Sequence, residues 1–246
     1  MKVILCGYHW TGCKALMLLK EAGHDVFVFS HKAANSVPSL EELCQKLNVP
    51  YSLSNISQVD LPFKPDLICS IYYRYIIKKH IIEACNGRIF NLHPALLPKY
   101  RGCSSLAWAM INGEDKVGYT YHYIDEGCDT GKVIIQKELS IEPFDTQLTL
   151  YNRVMFSAMN DFSNVVNLVA NGFEGQEQIG EPTLYKRGCP HNGEIDASWP
   201  NDKIERFIRT MHYPPYPKAT FHGHEVSSFE EWKELKAKYI IKQPTD

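Results

Sequence analysis

The order of apolar segments in this 246-residue chain predicts an α/β fold: a doubly wound, mostly parallel sheet followed by a small C-terminal α+β subdomain. Three observations carry this. Short unbroken apolar runs, of the kind buried on both faces of a parallel sheet, alternate with segments of helical periodicity from Val3 onward. A hydrophobic fraction of 44% supports one substantial core with an appendage. Late in the chain the texture changes to short segments broken by prolines, which divides it into a main domain, 1–178, and a subdomain, 179–246.

Val3-Ile4-Leu5-Cys6 ends at Gly7 and reads as the first strand, after which Leu16, Leu19 and Ala22 give residues 13–22 helical spacing. The turn between them, Gly7-Tyr8-His9-Trp10-Thr11-Gly12, lacks the middle glycine of a dinucleotide fingerprint and the Lys-Ser/Thr of a P-loop. It therefore reads as a structural turn rather than a phosphate cradle. The Rossmann-like pattern continues with Val26-Phe27-Val28-Phe29 and with a helix over 39–47, for which Ser39 is the cap and Glu42 its capping-box partner. Strands at 67–71 and 88–92 flank a helix at 79–85. Beyond the loop 94–102, residues 104–112 are helical, and 117–123 and 132–139 alternate like an antiparallel pair. Residues 146–170 form a long amphipathic helix with Leu150, Tyr151, Val154, Ala158, Val165 and Leu168 inward. The tail holds segments at 184–186, 202–211 and 219–221, interrupted by Tyr213-Pro214-Pro215-Tyr216-Pro217. His222-Gly223-His224 lacks a third ligand at metal spacing and reads as a hairpin turn, so no metal is expected.

Composition narrows the function. With 26 basic and 28 acidic side chains and a net charge of -2, the chain has no electrostatic footprint for a nucleic-acid partner. Eight cysteines without a C-x-x-C pair read as reduced, mostly buried thiols. The first apolar run is too short for a signal peptide and no stretch has membrane-spanning length, so a cytoplasmic protein without a membrane partner is expected.

The chemistry concentrates at Asn91 and His93, two apart at the carboxyl end of a central strand, where open α/β sheets bind ligands. One amide donor and one titratable imidazole then share a face, a costly pair to bury without purpose. Asp129, inside Asp125-Glu126-Gly127-Cys128-Asp129-Thr130-Gly131, adds a carboxylate from the loop between the antiparallel strands. A carboxylate beside an imidazole raises the imidazole pKa and offers a proton relay.

The run Phe90-Asn91-Leu92-His93-Pro94-Ala95-Leu96-Leu97-Pro98-Lys99-Tyr100-Arg101-Gly102, coupled to Asp129-Thr130-Gly131, resembles the signature of folate-dependent formyltransferases over residues 1–170. Within that group the chain looks most like the nucleotide-sugar N-formyltransferases. The similarity runs through Cys6-Gly7-Tyr8-His9, Tyr72-Tyr73-Arg74-Tyr75-Ile76-Ile77 and Tyr185-Lys186-Arg187-Gly188-Cys189-Pro190-His191-Asn192-Gly193-Glu194-Ile195-Asp196.

The resemblance implies transfer of a formyl group from 10-formyltetrahydrofolate to the amine of a dTDP-linked 4-amino-4,6-dideoxyhexose. Foremost is dTDP-4-amino-4,6-dideoxyglucose, for O-antigen or other surface polysaccharide synthesis. A 3-amino or galacto-configured sugar nucleotide is the alternative, ahead of a nucleotide-binding oxidoreductase. It implies Asn91, His93 and Asp129 as catalytic, with either His93 or Asp129 taking the first proton. It places the folate against Tyr75, Ile76, Ile77, Asp125, Glu126 and Cys128, although core packing explains the isoleucines equally well. Arg74, Lys186 and Arg187 suit a diphosphate, or are solvated surface charges; Tyr213 and Tyr216 stack on a base or pack the subdomain. A homodimer is implied by the resemblance alone. Among sister activities, formylation of methionyl-tRNA is disfavoured by the length left after residue 170 and by the charge, and that of glycinamide ribonucleotide by the bulky first turn.

Overall fold

Burial on both faces selects the central strands. In a computed structural model that describes residues 1–214 and 216–241, the chain runs β1 (Lys2–Gly7), α1 (His9–Glu21), β2 (Asp25–Phe29), α2 (Leu40–Lys46), β3 (Tyr51–Ser52), β4 (Leu67–Ile71), α3 (Lys79–Ala84) and β5 (Ile89–His93). There follow β6 (Arg101–Gly102), α4 (Ser105–Asn112), β7 (Lys116–Tyr123), β8 (Val133–Ser140) and α5 (Gln147–Ala170), then β9 (Leu184–Tyr185), α6 (Asn201–Thr210), β10 (Ala219–Phe221), β11 (His224–Val226) and α7 (Phe229–Ile241). Pro215 of the proline-rich turn and residues 242–246 of the expected subdomain lie outside the described residues.

The main sheet has the order β3-β2-β1-β4-β5-β7-β8, with the first five strands parallel and β7 and β8 antiparallel. The doubly wound, mostly parallel sheet is thus as expected. Alternation along β1 sends Val3 and Leu5 into a cluster with Leu16 and Leu19 of α1 and Val154 and Phe162 of α5. Ile4 and Cys6 join Ile68, Ile89 and Ile81 on the other face. Registry carries this second face across the sheet: Ile68 pairs with Ile89, and two residues further along Cys6, Ser70, Asn91 and His122 stand in one row. An apolar row therefore gives way to a polar one at the carboxyl ends of β4 and β5.

Local signals explain the helix starts. Ser39 Oγ accepts the Glu42 N–H as a cap, while the reciprocal bond from Glu42 is not among the described hydrogen bonds. Thr146 and Thr149 form the capping box at α5. Gly7 and Gly12 face each other so closely that a Cβ on Gly12 would lie 3.1 Å from the Gly7 carbonyl carbon, which makes the first turn a close-packed structural one. β3, β11 and α7 were not foreseen in the sequence; β3 is two residues long and offers no period to read. Leu184–Tyr185 pairs with Arg101–Gly102 of the larger part, and the second apolar cluster of Ile195, Ile204, Phe207 and Trp232 takes in Ile111 of α4. His222 and Gly223 adopt positive φ and close the β10–β11 hairpin. Only half the cysteines are buried (Cys6, Cys44, Cys69 and Cys85), whereas Cys128 and Cys189 are exposed, so the expectation of mostly buried thiols is too broad. No helix among the described residues is long and apolar enough to cross a membrane.

Candidate active site

Cross-strand pairing assembles the site. Ser70 Oγ donates to Asn91 Oδ1 at 2.9 Å, which turns the Asn91 amide nitrogen toward His122, 3.2 Å from Nε2. His122 Nδ1 lies 2.8 Å from the Tyr123 carbonyl oxygen, which can only accept, so Nδ1 carries the proton and Nε2 accepts one Asn91 N–H. The second Asn91 N–H has no partner in this network. Ser70 and His122 are functional neighbours that the sequence did not reveal.

His93 is oriented just as firmly. Its Nε2 lies 2.7 Å from the Tyr100 carbonyl oxygen and 3.2 Å from Ser105 Oγ, so the proton of the neutral ring sits on Nε2 and the lone pair on Nδ1. Nδ1 faces Asp129 Oδ2 at 3.5 Å. Burial lowers the His93 pKa, with the Asp129 charge opposing it, so the ring is neutral near pH 7.

β7 runs antiparallel to β5, so its end leaves the sheet beside the start of β5, where the Ile124 N–H bonds the Ile89 carbonyl. The loop 125–131 has to turn back to deliver Asp129. Asp125 Oδ1 organises the return by accepting from the Gly127 N–H at 3.0 Å and the Thr130 hydroxyl at 2.6 Å. A Cβ on Gly127 would overlap Thr130, and one on Gly131 the Tyr123 carbonyl oxygen. Asp129 itself sits in the left-handed region, with φ 54. Its Oδ2 accepts the Gly102 N–H at 2.8 Å and its Oδ1 lies 3.5 Å from His122 Nε2. Burial works against the charged carboxylate, yet its interactions with His122 and His93 in their protonated forms, together with the Gly102 N–H, outweigh it and hold the Asp129 pKa well below the usual carboxylate range.

The expected folate residues fall in two segments that meet at the ion pair of Lys79 with Glu126, 2.7 Å long. Ile76 is 87% exposed and Tyr75 half-buried, whereas Ile77 is 6% exposed and packs in the apolar cluster with Ile4, Phe29 and Ile81. The Ile77 side chain is therefore core and lines no slot. Asp125 is engaged in shaping its own loop, and the exposed Cys128 places Sγ 3.7 Å from Asp129 Oδ2.

Of the expected sugar-nucleotide residues, Arg74 and Arg187 come together, with Arg187 donating to the Arg74 carbonyl at 3.3 Å. Burial, followed by the charges of Arg74 and Arg187, pushes the His31 pKa down to about 4. Lys186 is exposed. Tyr213 and Tyr216 stack on each other with centroids 5.8 Å apart and line an open cleft with Met211, Lys218 and Glu225. Tyr213 abuts Tyr151, Tyr151 abuts Tyr72, and Tyr72 lies parallel to Tyr8, which stacks on His31 at 3.9 Å. Within this aromatic row the buried Nδ1 atoms of His9 and His31 and the Tyr151 hydroxyl have no hydrogen-bond partner among the described residues. Tyr8, His31 and Tyr151 of this row were not singled out in the sequence as a binding surface, since the row draws on five separate segments.

Residues 11–166 match the family model described as Formyl transferase. The GDP-perosamine N-formyltransferase of Brucella melitensis biotype 1 is 35% identical over 199 residues, covering 79% of this chain and 77% of that relative. The fold is shared with the N-formyltransferase from Helicobacter canadensis, solved in complex with folinic acid and dTDP-3-aminofucose, at TM-score 0.81 and 20% identity over 93% of this chain and 87% of that one. It is shared also with a 4-N formyltransferase from Francisella tularensis, at TM-score 0.74 and 22% identity over 92% and 95%.

Proposed function

Because this chain belongs to the formyl transferase family, we propose that it is a nucleotide-sugar N-formyltransferase. It formylates the amine of a nucleotide-linked 4-amino-4,6-dideoxyhexose, foremost dTDP-4-amino-4,6-dideoxyglucose, in the cytoplasm and in service of surface polysaccharide synthesis. The observation that carries this reading is that Asn91 and His93 share one face of β5 while Asp129 lies 3.5 Å both from His93 Nδ1 and from Nε2 of His122, the Asn91 partner.

The formyl donor, 10-formyltetrahydrofolate, supplies an activated one-carbon unit. The residues present fit it: the exposed Ile76 and half-buried Tyr75 offer apolar surface, and the loop 125–131 offers main-chain polar groups beside the catalytic carboxylate. As the sugar nitrogen adds to the formyl carbon, negative charge grows on the formyl oxygen, and Asn91 donates its free N–H to that oxygen. Ser70 and His122 hold the amide in place, so no reorganisation is needed at that moment. His93 takes the amine proton on Nδ1, because its other nitrogen is committed to the Tyr100 carbonyl, and returns it to N10 of the folate as the formyl C–N10 bond breaks and tetrahydrofolate leaves. Asp129, with its depressed pKa, is a poor base and serves instead to stabilise the resulting imidazolium.

At the other end, the arginine pair suits diphosphate oxygens, and the His9, His31 and Tyr151 atoms that lack a partner among the described residues suit the polar edges of a sugar nucleotide. GDP-perosamine, itself a 4-amino-4,6-dideoxyhexose carrier, is the second reading, favoured by the 35% identical relative. The test is to incubate the protein with 10-formyltetrahydrofolate and each of dTDP-4-amino-4,6-dideoxyglucose, GDP-perosamine and a dTDP-3-amino sugar, and to follow product mass. Gain of one formyl group, with the highest kcat/KM on the first acceptor, is the expected result. A preference for GDP-perosamine selects the second reading, and no formylated product from any of them sinks both.

A further inference from the structure

Every residue from Gln176 to Cys189 is exposed except Gln178 and Tyr185. A polar side chain that turns inward from an exposed strap needs partners, and Gln178 uses its whole amide group. Its oxygen accepts from Arg101 Nε at 3.2 Å and Nη2 at 2.6 Å. Its nitrogen donates to the carbonyl oxygens of Asp129 at 2.8 Å and Gly131 at 2.9 Å. Arg101 is covalently joined to Gly102, whose N–H holds the Asp129 carboxylate. The contacts close into a ring through Gln178, Arg101, Gly102 and Asp129, fixing both the main chain and the side chain of Asp129.

Asp129 needs such support. Its left-handed backbone is unfavourable for a residue with a side chain, and it persists only where surrounding contacts over-determine it. The two carbonyl oxygens that Gln178 bridges belong to the loop's last turn, and only a two-proton donor satisfies both. We infer that Gln178 is the positioning residue for the Asp129 carboxylate, acting from the strap that follows α5. Removing it frees the loop to relax, and the carboxylate withdraws from its 3.5 Å station beside His93. A displacement of about 1 Å at a catalytic group costs about 10²-fold in rate. The kinetic consequence rests on the formyl-transfer reading; the structural one does not.

The test uses the full chain carrying Gln178→Ala or Gln178→Glu. Glu keeps a partner for Arg101 and loses both donors to the carbonyl oxygens, so it separates the bridge from simple anchoring of the arginine. Both variants are expected to lose about 10²-fold in kcat with KM for donor and acceptor retained. In NMR titrations without substrate, the His93 ring is expected to protonate at lower pH than in the parent, because the charge that raises its pKa has moved away. Parental kcat in Gln178→Ala, parental kcat in Gln178→Glu, or an unchanged His93 titration in Gln178→Ala would each overturn the inference. If the parent transfers no formyl group, the function reading fails, and the His93 titration still decides whether Gln178 holds Asp129.

Discussion

Replacing Asp129 by Asn tests the division of labour between the carboxylate and the imidazole. The amide keeps the shape of the side chain, and its oxygen still accepts the Gly102 N–H, so the loop stays in place. What disappears is one negative charge 3.5 Å from His93 Nδ1, at a side chain only 15% exposed. Two unit charges at that separation attract by about 5 kcal/mol at an effective dielectric constant of about 20. In the ground state His93 is neutral and feels little of this; once it has taken the amine proton it feels nearly all. The loss therefore falls on the transition state and amounts to about 10³-fold in kcat, with KM for donor and acceptor preserved. The acid limb of the kcat/KM profile moves to lower pH, since the charge opposing the burial-driven fall in the His93 pKa is gone. Product mass against time at saturating substrates, repeated across pH, measures both effects. Parental turnover in Asp129→Asn, or a defect confined to KM, would refute the assignment of His93 as base and Asp129 as its electrostatic partner.

Further outcomes follow from the same geometry. His31→Phe keeps the stack on Tyr8 and removes a half-buried imidazole whose pKa is pushed down to about 4 by burial and by Arg74 and Arg187. In the unfolded chain a histidine titrates near pH ~6.5, so the parent is most stable above that pH and loses stability as pH falls toward about 4. The variant should lose less across that window in urea denaturation at stepped pH, and identical slopes would contradict the burial argument. Gly131→Ala drives a methyl group into the Tyr123 carbonyl oxygen and should lower the unfolding free energy by about 1–3 kcal/mol, read from the urea midpoint. Arg187→Ala removes one charge-assisted phosphate contact and should raise KM for the sugar nucleotide about tenfold in initial-rate assays, leaving KM for the folate unchanged.

How much of this was legible beforehand depended on whether a feature is local. Unbroken apolar runs identified β1, β2 and β4, and the spacing of Asn91 and His93 put both on one face because a strand repeats every two residues. Ile76 and Ile77 show the limit: in an irregular segment no period tells which of two neighbours turns inward, and the core took Ile77. His122 was not singled out because its meeting with Asn91 depends on the registry of β5 against β7. Gln178 was likewise missed, since it reaches Asp129 across 49 positions of sequence.

By itself, then, the order of residues determined the layered α/β architecture and a one-faced polar pair at the carboxyl end of a central strand, because both arise from short-range periodicity and side-chain chemistry. Tertiary structure alone decided which His93 nitrogen holds the proton, how the Asp129 carboxylate stays ionised, and which rings gather around His9, His31 and Tyr151. Those properties depend on carbonyl oxygens, charges and burial supplied by segments far away along the chain, and such partners meet only when the sheet closes and the loops fold over it.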